Sequence, residues 1–444
     1  MAGDWKTVKL LDLCEQIADC PHSTPLWTNS GVIVLRNQNI RGGRLDLSSP
    51  SYTDEEHYEQ RSRRARLRAG DLVLTREAPM GEVCMVPENL RCCLGQRMVM
   101  LRPDPKKCDS RFLLYSIQSD AVQHEIKVNE GTGSTVSNLR IPLLEALPIP
   151  HPPLPEQKAI AAVLGALDDK IELNRRMNVT LEAMARALFQ SWFVDFDPVR
   201  AKLDGRQPPN LDPATAALFP DSFQESKLGH IPKGWKVQSF ADHITADRGL
   251  SYKGAGLRDD GSGVPMHNLN SIFEGGGYKH DGIKYYAGDY RDKHLVEPGD
   301  MIVTNTEQGF EHLLIGHAAI VPSRFGPRGI FSHHIYRVRF KPSSNLTPHY
   351  LVQLFNNRRW HYWISGFSNG TTINMLPKDA LEMPLLVVPP AELVEAFTRL
   401  AQSIHDQIEE NITQSRTLAN VRDTLLPKLL DGQLCGDGTP LDSI

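Results

Sequence analysis

The sequence predicts an α+β fold repeated in tandem: two homologous globular α+β domains separated by two long helices that form an antiparallel coiled coil, related by a pseudo-twofold axis. Three observations predict it. The stretch "GTGSTVSNL" from Gly131 returns as "SNGTTINML" from Ser368. Short apolar runs bounded by Gly and Pro precede each copy, and each copy leads through prolines into a long segment with heptad spacing.

Sliding the chain by 237 residues places Gly133 on Gly370, Thr135 on Thr372, Leu139 on Leu376, Glu145 on Glu382, Pro152-Pro153 on Pro389-Pro390 and Asn174 on Asn411. Upstream the offset drifts. "GDLVLT" (Gly70 to Thr75) matches "GDMIVT" (Gly299 to Thr304), Trp5 matches Trp235, and "LRNQN" (Leu35 to Asn39) matches "MHNLN" (Met266 to Asn270). The two halves therefore share a frame and differ in detail.

Residues 1–153 and 228–390 are the two globular domains. Runs such as "DLVLT", "EVCMVP" and "RMVMLRP" suit strands of a mixed sheet. "SRFLLYSIQSDAVQHEI" and "TPHYLVQLFNNRRWHYWI" have helical spacing with Ser or Thr caps. Residues 154–197 form the central long helix, opened by Pro155 and Glu156 in its first turn and ended at Asp197-Pro198. Residues 198–227 read as a proline-rich linker lying on the surface, 391–430 as the second long helix and 431–444 as a tail.

Stepping along the first long helix by threes and fours gives a seam of Ile160, Leu164, Leu167, Ile171, Asn174, Leu181 and Leu188. The second gives Phe397, Ile404, Ile408, Asn411, Leu418 and Leu425. Asn174 and Asn411 are equivalent polar residues near the middle of each seam, where an asparagine costs stability but fixes register, so they are expected to face each other across an antiparallel pair. About 37 residues rising about 1.5 Å each make a rod of about 55 Å. Val163, Met177 and Met184 form a second stripe beside the seam, which is either core filling or a seat for a partner's helices.

Net charge is −4, yet residues 228–390 carry 17 basic and 14 acidic groups, and the acid is concentrated in the helical segments. A near-neutral total thus leaves room for locally basic surfaces. The seven cysteines contain no C-x-x-C pair and read as reduced structural thiols. No apolar run of about 18 residues and no signal-like N-terminus is present, which places the chain in the cytoplasm as an expectation. No phosphate-binding loop or zinc-protease pair is present, and "GAGLRD" lacks the last glycine of a dinucleotide fingerprint. His333-His334, read as neighbours on a strand, should point to opposite faces and bind no metal. No catalytic residue is assigned.

The segment "PLPEQKAIAAVLGALDDKIELNRRMNVTLEAMARALFQSWFVDFDPVRAK" resembles the central region of the specificity (S) subunit of type I restriction-modification enzymes. "SKLGHIPKGWK" and "GTTINMLPKDALEMPLLVVPP" resemble the segments that open and close that family's second half. The resemblance implies a non-catalytic subunit whose two globular parts are target recognition domains, each reading one half of a split double-stranded DNA sequence. It also implies two methylation (M) subunits docked on the helices and restriction (R) subunits beyond them. S-adenosylmethionine, ATP and Mg would be bound by those partners, with no cofactor on this chain. The alternative from another class is a coiled-coil protein scaffold that binds no DNA.

Arg and Asn are the side chains that read guanine and adenine edges, which selects Arg36, Asn37 and Asn39 in the first domain and His267, Asn268 and Asn270 at the matched corner of the second. Turn formation is the competing reading of those asparagines. Arg61, Arg63, Arg64 and Arg66 lie in "RSRRARLR", a basic run suited to tracking phosphates or to pairing with "DEEHYE". Arg76, Gln96, Arg97, Asn305, Gln308, His333 and Arg337 are further candidates. Ser134, Thr135, Thr371 and Thr372 sit in the small-residue loops that allow close approach to a phosphate or simply turn the chain.

Overall fold

The computed structural model describes residues 5–77, 79–129, 138–308, 311–370 and 373–435. The chain divides into two units: residues 1–173 with 414–444, and residues 174–413.

In the first unit the strands are β1 (Thr7–Lys9), β2 (Cys14–Asp19), β3 (Val32–Leu35), β4 (Ser51–Thr53), β5 (Leu72–Thr75), β6 (Val83–Met85), β7 (Cys92–Leu94), β8 (Met98–Pro103) and β9 (Pro148–Pro150). Helices α1 (Glu55–Arg61), α2 (Ser110–Gln118) and α3 (Asp120–Val128) accompany them, and α4 (Leu154–Phe189) belongs to this unit up to Leu173 and to the second from Asn174. An antiparallel sheet runs β2-β8-β5-β6, a smaller one runs β4-β3-β7 with β3 parallel to β7, and β1 pairs with β9.

The second unit contains α5 (Asp197–Leu203), β10 (Lys236–Ser239), β11 (Ile244–Arg248), β12 (Val264–His267), β13 (Lys284–Tyr286), β14 (Met301–Thr304) and β15 (Thr306–Gln308). There follow β16 (Ala318–Ile320), β17 (Gly329–Phe331), β18 (Ile335–Phe340), α6 (Pro348–Phe355), α7 (Arg358–Ser365), β19 (Ile373–Met375), β20 (Leu385–Val388) and α8 (Ala391–Leu430), whose residues from Gln414 on belong to the first unit. Its sheets repeat the first unit's order. The larger runs β11-β18-β14-β16, β12 lies parallel to β17, and β10 pairs with β20. The α+β tandem class read from sequence is thus borne out.

Each of the two stretches with helical spacing contains two helices. Ser119 caps α3 through Val122 N–H, and Asn357 caps α7 through Arg359 N–H. An in-line Ser or Asn whose side chain captures a free N–H starts a new helix rather than continuing the old one.

The long helices pack antiparallel within each unit. In the first, Ile160 and Leu164 of α4 share a core with Leu429 and Leu430 of α8 and with Phe112 and Leu113 of α2. In the second, Phe189, near the end of α4, meets Phe397, near the start of α8, at 5.7 Å between ring centroids. Phe193 packs edge-on to both Tyr350 (4.9 Å) and Phe397 (5.3 Å), an arrangement aromatic quadrupoles favour.

Two boundaries differ from the sequence reading. The first long helix leaves α geometry at Phe189 and closes with one π turn, Gln190–Val194, which turns Trp192 and Phe193 into the core. Asp197-Pro198 does not end that helix. Proline is welcome in a first turn, where its missing N–H costs no bond, and Pro198 is the second residue of α5, which starts at Asp197 after Phe196 in left-handed conformation (φ 57°). The proline-rich stretch is also not a surface linker, because Val199, Ala201, Ala216 and Phe219 are buried in the second unit. The seven cysteines form no disulfide, and burial pushes the Cys84 and Cys92 thiols up to about 12. No helix among the described residues is long and apolar enough to cross a membrane.

Candidate nucleic-acid interface

Backbone hydrogen bonds fix which residues of the two units correspond. Gly70 N donates to Val86 O at 3.0 Å, and Gly299 N to Val321 O at 2.9 Å. Arg76 N donates to Arg97 O at 2.8 Å, and Asn305 N to His334 O at 3.1 Å. Leu139 N donates to Arg76 O at 2.9 Å, and Leu376 N to Asn305 O at 2.8 Å. In both units, therefore, the end of one central strand (β5 or β14), the turn after the parallel strand (β7 or β17) and the residue following the Gly-Thr loop converge on one corner.

The corner after β3 and β12 needs a correction of register. Gly95 N bonds Leu35 O at 2.8 Å, while Ser332 N bonds His267 O at 2.9 Å, so His267 corresponds to Leu35 and Asn268 to Arg36. A one-residue length change in a loop leaves local identity ambiguous, and the ladder resolves it. Asn268, Asn39 and His267 face inward. Asn39 accepts from Arg36 N at 2.9 Å and donates to Asp46 O at 2.9 Å. Asn268 donates to Gly282 O at 2.8 Å and accepts from Asn270 N at 2.9 Å. His267 Nδ1 lies 2.7 Å from the Tyr278 hydroxyl, and burial holds its pKa down at about 3. These three groups build the corner, and the outward side chains are those of Arg36, stacked over Trp27 at 5.1 Å, and Asn270. Asn37, half-buried, donates to Glu77 O at 3.1 Å.

The arginine run separates into two roles. Arg61 is buried and donates to three carbonyls, Leu94 O at 3.0 Å, Ser23 O at 2.9 Å and Pro21 O at 3.3 Å, which commits it to the fold. Arg66 pairs with Glu59 at 2.5 Å and covers Tyr58, whereas Arg63 and Arg64 stand exposed.

Arg76 and Arg337 are likewise internal. Arg76 holds Asp19 at 2.5 Å and donates to Leu139 O at 2.9 Å and Asn138 Oδ1 at 3.2 Å. Arg337 holds Asp247 at 2.8 Å and donates to the carbonyls of Leu295 and Lys293. Asn305 is buried and donates to His333 O at 3.1 Å. Arg97 is exposed, adopts φ 68° and reaches Glu77 at 2.9 Å. Gln96 donates to His22 O at 2.8 Å, and Gln308 is exposed on β15. His333 and His334 do not diverge as strand neighbours would. They lie in the turn before β18, with ring centroids 3.9 Å apart. Ser134, Thr135, Thr371 and Thr372 lie outside the described residues.

Two basic side chains at this corner escaped sequence reasoning. Arg248 ends β11 and Lys284 begins β13, and both add positive potential at His334. Neither belongs to a basic run. The signal that locates them is strand register, because Tyr336 pairs with Arg248 as Val99 pairs with Asp19, and Met266 pairs with Lys284 as Val34 pairs with Ser51.

The structure is a tandem pair of equivalent α+β units, each with a polar corner of its own side chains on a shared backbone frame. The family description "Type I restriction modification DNA specificity domain" matches residues 2–183. The chain is 27% identical over 375 residues to the type I restriction enzyme MjaIX specificity subunit of Methanocaldococcus jannaschii, covering 82% of this chain and 78% of the relative. It is 22% identical over 417 residues to the HindI specificity subunit of Haemophilus influenzae, covering 83% and 87%. The crystal structure of a type I restriction-modification S subunit from M. genitalium shares its fold, with TM-score 0.57, 15% identity and 96% of each chain covered. The chain is thus similar, over most of its length, to specificity subunits of type I restriction-modification enzymes.

Proposed function

We infer that this chain binds DNA sequence-specifically, each unit reading one half of a bipartite target while α4 and α8 carry the readers and seat two methylation subunits. Specificity subunits are not enzymes. Methylation and cleavage belong to the M and R subunits, which would supply S-adenosylmethionine, ATP and Mg. Target adenines would be flipped into the M subunits for modification. Half-sites about one helical turn apart, roughly 34 to 36 Å, suit such paired readers. A DNA partner of this kind places the assembly in the cytoplasm.

The observation that carries this reading is the repeated corner. The same hydrogen bonds recur in both units, yet the side chains there differ: Arg97 against His334, Arg76 against Asn305, Arg36 against Asn268. A common frame with unlike side chains presents two readers of unlike half-sites to one duplex, so the target should be asymmetric. Methylation-sensitive sequencing of cells with and without this chain, beside its methylation subunit, tests it. An asymmetric split motif that appears only with the chain is the expected result. A motif that persists without it would overturn the reading.

A further inference from the structure

The equivalences turn the two corners into an electrostatic comparison. In the first unit two acids neutralise two bases: Asp19 holds Arg76 at 2.5 Å, and Glu77 holds Arg97 at 2.9 Å. In the second unit the residue equivalent to Asp19 is Arg248, to Arg76 Asn305, to Glu77 Thr306 and to Arg97 His334. Both carboxylates are gone. Ser51, which accepts from Arg36 at 3.3 Å, corresponds to Lys284. In one corner two of the three arginines are paired with carboxylates and Arg36 bonds Ser51, whereas in the other neither Arg248 nor Lys284 forms an ion pair among the described residues.

The imidazole of His334 sits within this cluster. Its Nδ1 lies 2.9 Å from the Thr306 hydroxyl on β15, which leaves Nε2 for a ligand. The groups that face it are the His333 ring at 3.9 Å between centroids, Arg248 from β11, Lys284 from β13 and the Thr306 hydroxyl. Protonating it without an anion would add a further positive charge to the cluster.

We propose that Arg248, Lys284 and His334 form a phosphodiester clamp for the DNA of the second half-site, and that His334 takes up a proton as the phosphate enters. The first corner, where Asp19 and Glu77 already pair with Arg76 and Arg97, has no histidine at the place of His334. The inference rests on the DNA-reading function above. In free protein the imidazole is held below its ordinary range by burial first and then by its positive neighbours. A phosphate reverses the second effect, so proton uptake accompanies binding and affinity rises as pH falls. One linked proton changes Kd by at most about tenfold per pH unit.

The test uses the full complex with methylation subunits and a labelled duplex bearing the motif found by sequencing, with Kd measured at pH 6, 7 and 8 and over a series of salt concentrations. The wild type should bind more tightly at pH 6 than at pH 8. His334→Gln should flatten that trend, and His334→Arg, permanently charged, should bind tightly at every pH. Arg248→Ala should weaken binding several-fold and lower the slope of log Kd against log salt by about 0.9, the loss of one phosphate contact. The clamp is overturned if wild type binds the duplex but His334→Gln keeps its pH trend and Arg248→Ala its salt slope. Absence of any binding by the wild-type complex would instead overturn the DNA-reading function.

Discussion

Asn174 Nδ2 donates to the backbone carbonyl of Asn411 at 3.3 Å, and Asn411 in turn donates from Nδ2 to Asn178 Oδ1 at 2.8 Å. Both asparagines are buried in a seam that is otherwise apolar along much of its length. The contact holds α4 and α8 at one register, because sliding either helix would strand a buried amide at a cost of about 1 to 3 kcal/mol. Replacing both with Leu should raise the melting temperature while admitting alternative registers. Calorimetry with native mass spectrometry of the complex checks this. Lower stability with unchanged stoichiometry would show that the pair serves only as a structural bond.

The arginine run yields a second prediction. Arg61→Ala leaves three carbonyls without their donor and should destabilise the first unit by about 2 to 4 kcal/mol, read from its denaturation midpoint. Arg63→Ala with Arg64→Ala should leave stability within about 0.5 kcal/mol. If both arginines touch phosphates, the double variant lowers the salt slope of DNA binding by about 1.8. A double variant with an unaltered slope would remove these two from the interface.

Those adjacent arginines show where sequence reasoning reaches and where it stops. The repeat was legible because 237-residue spacing survives in the Gly-Thr loops, the proline pairs and the seam, and the strands were legible because "DLVLT" and "RMVMLRP" are apolar runs cut by Gly and Pro. Burial of an individual polar residue was not. Arg61 and Arg63 are the same residue type two positions apart, and only the carbonyls of Leu94, Ser23 and Pro21, distant in sequence, make the first internal. The cationic corner was hidden for the same reason. Arg248 and Lys284 gain meaning from cross-strand neighbours, and the exchange of Asp19 for Arg248 becomes visible only once the ladders align the halves. The burial of Val199 and Phe219 was missed because prolines mark breaks in helices, and a broken segment can still bury its apolar side chains.

Acid should loosen the second unit. Burial holds His267 at about 3 and His317 at about 4, below the ordinary value near 6.5. A depressed folded-state pKa gives stability that is present above the unfolded value and lost as pH falls toward the folded one. Between pH 6.5 and 5 each such histidine should therefore remove about 2 kcal/mol. Hydrogen exchange at pH 7 and pH 5 should show β14 and β18 losing protection over that interval. Protection in those strands that stays constant to pH 5 would refute the assignment.

The methionine stripe divides on inspection, and the division sets the last test. Val163 is half-buried against the first unit's core, whereas Met177 and Met184 stand exposed at 37% and 50%. Val163→Ala should thus cost about 1 kcal/mol of stability, as the loss of partly buried methyl groups does. Met177→Glu with Met184→Glu should leave the melting temperature nearly unchanged, because no buried contact is lost, yet weaken any helix that docks on that face by desolvating charge against it. Analytical ultracentrifugation of the chain with its methylation subunit should then show fewer than two subunits bound at concentrations that saturate the wild type. Full occupancy by the double glutamate variant would move the docking surface away from this face of α4 and leave the exposed methionines as ordinary surface residues.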